Sequence, residues 1–100
     1  MAKFRNKKVD VVIDVRSHLE YWLGHLPGAK CMPVGSIEQA INGLPEITHD
    51  TNILVYCASG ARSASAADTL RRMGYRRVVD GGGYGEARQA TMDGRQWAGE

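Results

Sequence analysis

The sequence predicts an α/β fold with a mostly parallel central sheet of four to five strands and helices on both faces. Two apolar runs, 9–15 and 53–56, are rich in β-branched side chains and are typical of strands buried on both faces. Each run is followed by a segment with the capping and spacing pattern of a helix, and this alternation favours parallel strands joined by crossover helices. With 100 residues, 43% of them hydrophobic, we expect one domain over 1–100 with its core at about 9–87.

Two helices are predicted from the residues that start and stop them. Ser17 lies three residues before Glu20, which is the capping-box pattern and predicts a helix that continues to residue 23. Gly24 is expected to end this helix, because glycine is common directly after a helix end. Ser36 and Gln39 repeat the capping pattern and predict the start of a second helix.

The second half of the chain continues the alternation. A third helix is predicted over 63–73, where apolar residues recur with helical spacing. Short strands are predicted at 29–32 and 77–79. The tail at 88–100 is polar, with Trp97 as its one strong anchor, so we expect it to be weakly ordered or to form a short helix.

The charge distribution argues against nucleic-acid and membrane partners. The formal net charge is +2, and one dense basic patch lies near the start of the chain, at Lys3, Arg5, Lys7 and Lys8. We interpret this patch as a solvated end of the chain rather than a nucleic-acid site. No apolar run approaches the length of a membrane span, and no signal-peptide pattern is present. The expected location is the cytoplasm, although a periplasmic protein whose signal peptide had been removed would show the same pattern.

The two cysteines, Cys31 and Cys57, are too few for a disulfide framework. In a reducing compartment they would be free thiols, so a cysteine in an unusual setting suggests chemistry. No CxxC motif is present, and the histidines are not spaced as metal ligands beside either cysteine. We therefore expect neither a metal ion nor a cofactor.

Cys57 has such a setting, because it directly follows the second predicted strand. Four small residues separate it from Arg62, namely Ala58, Ser59, Gly60 and Ala61. A loop of this kind turns its backbone N–H groups inward, and the following helix adds its positive dipole end. Such a cradle binds anions and favours a thiolate, so Cys57 is predicted to be a nucleophile. The alternative is a buried structural cysteine, since free cysteine is among the most buried residue types.

Several motifs also carry a family resemblance. In order and spacing, they resemble rhodanese-like sulfurtransferases, and in particular the small bacterial single-domain rhodaneses. The resemblance extends over nearly the whole chain, about 9–87. The motifs are DVR at 14–16, GHLPGA at 24–29, CASGARS at 57–63, GY at 74–75 and GG at 82–83.

The resemblance implies sulfur transfer. Cys57 would attack the outer sulfur of a small anionic donor such as thiosulfate and become a persulfide, and cyanide, a small thiol or a protein would accept the sulfur. The backbone from Ala58 to Arg62 would form the cradle, and the Arg62 side chain would help to hold the donor or the loop. Ser63 is expected to cap the helix rather than react. Asp14 and Arg16 are expected to support the scaffold beside the site, and Gly82 and Gly83 to shape a turn near it.

The sequence departs from this family around the thiol. The loop interior, Ala58, Ser59 and Ala61, carries no basic side chain, which weakens the case for the thiosulfate dianion as the donor. Cys31 occupies a position where relatives usually have another small residue. We expect it to be a buried small hydrophobe, and the alternative is a second thiol that resolves an oxidised Cys57.

Two other functions compete with sulfur transfer. A cysteine phosphatase or an arsenate reductase also cradles an anion above a thiolate, but those enzymes place five residues between the cysteine and the arginine. Here only four intervene, and Tyr56 rather than histidine precedes Cys57. The other competitor is a non-enzymatic module of the same fold in which Cys57 senses redox state or sulfur.

Overall fold

The computed structural model describes residues 2–4 and 7–94. Its strands and helices alternate along the chain as the sequence predicts, apart from an additional pair of strands at the start. In chain order the elements are β1 Ala2–Phe4, β2 Lys7–Val9, β3 Val11–Asp14, α1 His18–Leu23, β4 Lys30–Cys31, a 3-10 turn Val34–Ser36, α2 Ile37–Asn42, β5 Ile53–Cys57, α3 Ala61–Arg72, β6 Val78–Gly83 and α4 Tyr84–Gly94.

The central sheet confirms the predicted fold class. It has four strands in the order β4-β3-β5-β6, and each neighbouring pair is parallel. β1 and β2 form a separate antiparallel pair that the sequence did not predict. The predicted strand 9–15 is therefore too long, because Val9 belongs to β2 and the sheet strand begins only at Val11.

Both faces of the sheet are covered, because side chains alternate between the faces along each strand. On one face, Ile13 and Val55 pack into a core that includes residues of α2 and α3. On the other face, Val12 and Leu54 pack with Leu26 and with Ala87 of α4. This arrangement buries the middle of the sheet and leaves the carboxyl ends of its strands to form a site.

The first helix begins as predicted. The Ser17 hydroxyl accepts a hydrogen bond from the Glu20 N–H at 3.2 Å, and the Glu20 carboxylate accepts one from the Ser17 N–H at 3.0 Å. Gly24 ends the helix, and its N–H donates to the Tyr21 carbonyl at 3.2 Å. The outer side of α1 is apolar and exposed at Leu19, Trp22 and Leu23.

The capping prediction for the second helix is wrong. Ser36 makes no side-chain capping bond, and its hydroxyl donates instead to the carbonyl of Pro33 at 3.4 Å. The chain already turns in the 3-10 segment before α2, so the serine hydroxyl faces backward along the chain.

The end of the chain is more helical than predicted up to residue 94. α4 begins directly after β6 at Tyr84, so part of the predicted tail at 88–100 belongs to a continuous helix. Trp97, the predicted anchor, lies outside the described residues. Within 2–4 and 7–94, no helix has both the length and the apolar character needed to cross a membrane.

Candidate active site

Cys57 is the last residue of β5, at the carboxyl end of a central strand. Its side chain is almost completely buried, with 1% of its surface exposed. The pairing of β5 with β6 is interrupted just before it, between Val55 and Cys57, so that Cys57 pairs with Gly83. The thiol therefore lies at the carboxyl-end edge of the sheet, where parallel sheets usually bind their ligands.

The loop after Cys57 turns back over the sulfur. Gly60 has a φ of 105°, a left-handed conformation that residues with a Cβ rarely adopt. This turn allows the Gly60 N–H to donate to Cys57 Sγ at 2.9 Å. Gly60 is also the N-cap of α3, which begins at Ala61 rather than at the predicted residue 63. The thiol consequently faces the N-terminal end of α3.

Ser63 does not cap the helix, so this prediction is wrong. It lies within the first turn of α3 and is completely buried. Its hydroxyl donates to Asp80 Oδ1, with the two oxygens 2.7 Å apart, and also lies 3.0 Å from the Gly60 carbonyl. The backbone N–H and the hydroxyl of Ser63 also lower the pKa of Cys57. Asp80 was missed by sequence reasoning because it lies 17 residues away on another strand.

These contacts favour ionisation of the thiol. Burial raises the pKa of Cys57, but hydrogen bonds from Ser63, Gly60 and Ser59 outweigh this effect, and the pKa is lower than that of an ordinary cysteine. The three backbone N–H groups act together with the Ser63 hydroxyl, because each stabilises the negative charge of a thiolate. The thiol of Cys57 is thus shielded from solvent and more acidic than that of an ordinary cysteine.

The floor of the site is made by glycines at the end of β6. A Cβ added to Gly83 would lie 2.7 Å from the Ala58 carbonyl oxygen, which leaves no room for a side chain. The Gly82 N–H donates to Asp80 Oδ1 at 2.9 Å, and the Gly83 N–H donates to Glu86 Oε1 at 3.2 Å. Gly82 and Gly83 lie against the loop, but they belong to β6 rather than to the predicted turn.

Arg62 forms an ion pair that the sequence did not predict. Its NH1 donates to Glu20 Oε1 at 2.7 Å and its NH2 donates to Glu20 Oε2 at 3.0 Å. The hydrogen bonds from Arg62, together with those from Ser17, lower the pKa of Glu20 to about 2. Glu20 raises the pKa of Arg62, and the charge of Cys57 adds to this effect. The guanidinium of Arg62 is therefore held by the Glu20 carboxylate.

Asp14 and Arg16 form a buried pair behind the loop. Asp14 accepts hydrogen bonds from the Arg16 backbone N–H at 2.9 Å and from Arg16 NH2 at 2.7 Å. The Tyr56 hydroxyl also donates to Asp14, at 2.8 Å, and the guanidinium of Arg16 lies 4.7 Å from the ring centroid of Tyr84. These contacts hold Tyr56, the residue before Cys57, in place.

Cys31 is not the buried small hydrophobe that the sequence predicted. It is half-buried, and its Sγ lies 3.4 Å from His18 Nδ1. Burial, followed by the charge of Asp14, raises the pKa of its thiol. In the sheet, Cys31 of β4 lies beside Asp14 of β3, and Asp14 lies beside Tyr56 of β5.

This register also argues against Cys31 as a resolving thiol. Cys31 shares the sheet face of Tyr56, whereas Cys57 lies on the opposite face. Two strand spacings separate β4 from β5, about 10 Å, which exceeds the Cα separation that a disulfide spans. A Cys31–Cys57 disulfide would need the backbone to move.

A metal site finds no support among the described residues. Within residues 2–4 and 7–94, no group of three or more His, Cys, Asp or Glu side chains is arranged to hold a metal ion. The chemistry of the site follows from a thiol, backbone N–H groups and one hydroxyl.

Comparison with known proteins agrees with this geometry. Residues 1–85 match the family described as the rhodanese-like domain. A Bacillus subtilis protein provisionally named sulfur carrier protein YrkF is 35% identical over 69% of this chain and 36% of its own length. A Schizosaccharomyces pombe protein provisionally named as a mitochondrial thiosulfate sulfurtransferase is 35% identical over 71% of this chain and 57% of its own. The tRNA uridine(34) hydroxylase of Pectobacterium atrosepticum is 34% identical over 84% of this chain and 25% of its own. The chain therefore spans between a quarter and just over half of these relatives.

Solved structures match more of their own length. A rhodanese from E. coli, solved with anions, has a TM-score of 0.70 and 31% identity, and the match covers 76% of this chain and 88% of the other. The human single-domain sulfurtransferase TSTD1 has a TM-score of 0.68 and 26% identity, with coverage of 79% and 80%. Because the family match extends over most of the chain and the fold agrees with it, the chain belongs to the rhodanese-like domain family.

Proposed function

We propose that this protein is a sulfurtransferase of the thiosulfate sulfurtransferase type, which moves a sulfane sulfur through a persulfide on Cys57. One observation carries the proposal. The buried Cys57 sulfur accepts hydrogen bonds from a tight loop at the N-terminal end of α3. Membership of a family that includes sulfurtransferases supports the same chemistry.

The first half-reaction loads the cysteine. The Cys57 thiolate attacks the outer sulfur of the donor, and a new bond forms between Sγ and that sulfur. The bond between the outer sulfur and the rest of the donor breaks, and its electron pair leaves with the departing group, which is sulfite when the donor is thiosulfate. The persulfide that remains is anionic, and the N–H groups of Ser59 and Gly60 stabilise it.

The second half-reaction removes the outer sulfur from the Cys57 persulfide. A thiophilic acceptor, cyanide or a thiol, attacks the outer sulfur of the persulfide and restores the Cys57 thiolate. The loop after Cys57 is made of small residues, and three of them are exposed, namely Ala58, Ser59 and Ala61. The acceptor, a small thiol or a protein, would approach Cys57 across these exposed residues. We propose no nucleic-acid or membrane partner and no cofactor.

The loop size favours sulfur over phosphate chemistry. Four residues lie between Cys57 and Arg62, and Arg62 is held in a bidentate pair by Glu20. A phosphatase or arsenate reductase needs its arginine for a tetrahedral oxyanion, so this pairing disfavours both enzymes. A non-enzymatic sensor of redox state or sulfur would use the same thiol. Only a measurement of catalytic turnover distinguishes such a sensor from an enzyme.

The experiment is a steady-state assay of thiocyanate formation from cyanide, with thiosulfate and with a small hydropersulfide as alternative donors. Initial rates measured against both substrates should give the parallel lines of a double-displacement mechanism. Cys57→Ser is the matched control and should show no enzymatic turnover. Hydrolysis of an aryl phosphate without sulfur transfer would overturn the proposal. A single stoichiometric loading without turnover would support the sensor instead.

A further inference from the structure

Among the described residues, three carboxylates bind groups next to the loop that carries Cys57, namely those of Glu20, Asp80 and Glu86. Arg62 lies in the first turn of α3 and is coupled electrostatically to Cys57. Both terminal nitrogens of its guanidinium are bound by the two carboxylate oxygens of Glu20. The positive charge of Arg62 is therefore matched by the negative charge of Glu20.

Glu20 is fixed in this position by a second set of contacts. The backbone N–H and the hydroxyl of Ser17 each lie 3.0 Å from Glu20 Oε1, and these bonds form the capping box of α1. Glu20 cannot swing away from Arg62 without also opening the start of its own helix. Hydrogen bonds from Arg62 and Ser17 keep the pKa of Glu20 at about 2. The carboxylate is therefore charged at neutral pH.

Two more carboxylates approach the loop from the other side. Asp80 accepts the hydrogen bond of the Ser63 hydroxyl, and Ser63 is a buried residue in the first turn of the helix that follows the Cys57 loop. Glu86 accepts the hydrogen bond of the Gly83 N–H, and Gly83 is the sheet partner of Cys57. The loop itself contributes N–H dipoles but no charged side chain between Cys57 and Arg62.

From this arrangement we infer that Glu20 is a specificity-determining residue and that the donor suited to this site is the hydropersulfide of a small thiol rather than the thiosulfate dianion. The inference rests on the proposed sulfurtransferase function and names its donor class. A thiolate that meets thiosulfate brings three negative charges together, while the neighbouring Arg62 is already neutralised. A hydropersulfide is neutral or singly charged, so it meets less repulsion.

The transfer from this donor is balanced without a further reactant. The Cys57 thiolate attacks the terminal sulfur of R–S–SH and forms the Sγ–S bond. The S–S bond of the donor breaks, and its electron pair leaves on R–S⁻. The product is the Cys57 persulfide, which carries the hydrogen of the donor, and no external oxidant or reductant takes part.

The test compares single-turnover loading of Cys57 by thiosulfate and by cysteine hydropersulfide, followed by mass spectrometry. The wild-type protein should load from the hydropersulfide at least about ten times faster than from thiosulfate at equal concentration. Glu20→Gln frees the Arg62 charge while keeping a side chain that serves in a capping box. It should speed loading by thiosulfate by roughly tenfold and change loading by the hydropersulfide by less than about twofold.

Glu38→Gln is the matched control, because Glu38 is an exposed residue at the start of α2 and its removal changes the net charge equally. It should leave both rates unchanged, and thermal unfolding should show that both variants are folded. Equal loading of the wild-type protein by the two donors would overturn the inference while leaving the proposed function in place. The inference would also be overturned if Glu20→Gln did not change the ratio of the loading rates with the two donors. Loading by neither donor would overturn the proposed function itself, and this inference with it.

Discussion

The hydroxyl of Ser63 donates to Asp80 Oδ1, with the two oxygens 2.7 Å apart. This bond joins the first turn of α3 to the end of β6, directly beside the buried sulfur of Cys57. A serine hydroxyl has one proton. The Ser63 hydroxyl donates it to the Asp80 carboxylate, yet the same side chain also lowers the pKa of Cys57. When Cys57 is a thiolate, the carboxylate and the sulfur compete for that proton.

Ser63→Ala tests which of them receives it. If the hydroxyl donates to the thiolate, its loss should raise the pKa of Cys57, because the thiolate loses a hydrogen bond that stabilises its charge. The measurement is the rate of thiol alkylation against pH in a Cys31→Ser background. The wild-type midpoint should lie below the value of about 8.5 for a free cysteine.

Ser65→Ala is the matched control, because Ser65 lies on the same helix and is exposed. It should leave the midpoint where it is. An unchanged midpoint in Ser63→Ala would contradict the prediction and would mean that the proton stays with Asp80.

Gly60→Val should damage the site through the backbone. Gly60 has a φ of 105°, and a β-branched residue there is strained by about 1–2 kcal/mol or more. The Gly60 N–H would turn away from Cys57 Sγ, so sulfur loading should fall by about tenfold or more. Gly35→Val is the control, because a Cβ at Gly35 meets no atom within 4 Å and its φ is not in the left-handed region. Full loading in Gly60→Val would contradict the backbone cradle.

The two cysteines should differ completely in function. Cys57→Ser should abolish sulfur transfer, because a hydroxyl does not ionise in this range and cannot form a persulfide. Cys31→Ser should keep most of the activity, since Cys31 lies on the opposite face of the sheet from Cys57. The measurement is thiocyanate formation by the two variants under one set of conditions. Loss of activity in Cys31→Ser with activity kept in Cys57→Ser would mean that the wrong thiol has been assigned.

The Glu20–Arg62 pair should stabilise the protein in a pH-dependent way. The pKa of Glu20 in the folded protein, about 2, lies below its ordinary value of 4.5. Its contribution is therefore present above pH 4.5 and is lost as the pH falls toward 2. The difference in free energy of unfolding between the wild-type protein and Glu20→Gln should be largest at neutral pH and should shrink as acid is added. Denaturant unfolding at pH 7, 4 and 3 measures it, and a difference that grows in acid would contradict the assignment.

The sequence predicted where residues lie in the fold best where local pattern determines their position. Cys57 follows an apolar run that forms a buried central strand, and this placed the thiol at the correct edge of the sheet. The Ser17–Glu20 capping box was also predictable, because both partners lie within one helical turn. Local pattern was misleading at Ser36 and Ser63, where a preceding turn or an earlier helix start changed the role of the serine.

The polar partners around the thiol could not be predicted in the same way. Asp80 is 17 residues from Ser63, and Glu20 is 42 residues from Arg62. Neither pair has a sequence spacing that identifies it, because each depends on how separate elements pack around the sheet. Glu20 was recognised only as a capping residue, although it has both roles at once.

The central claim is that Cys57 carries the transferred sulfur, and peptide mapping by mass spectrometry tests it most directly. The protein is incubated with cysteine hydropersulfide, the excess donor is removed, and remaining thiols are alkylated. It is then digested with a protease that cleaves after glutamate, because Glu38 and Glu46 lie between the two cysteines and no Lys or Arg does. The account predicts an added sulfur atom on the peptide that contains Cys57, none on the peptide that contains Cys31, and loss of the adduct when cyanide is added. An unmodified Cys57 together with a sulfur adduct on Cys31, or an adduct on Cys57 that cyanide does not remove, would contradict it.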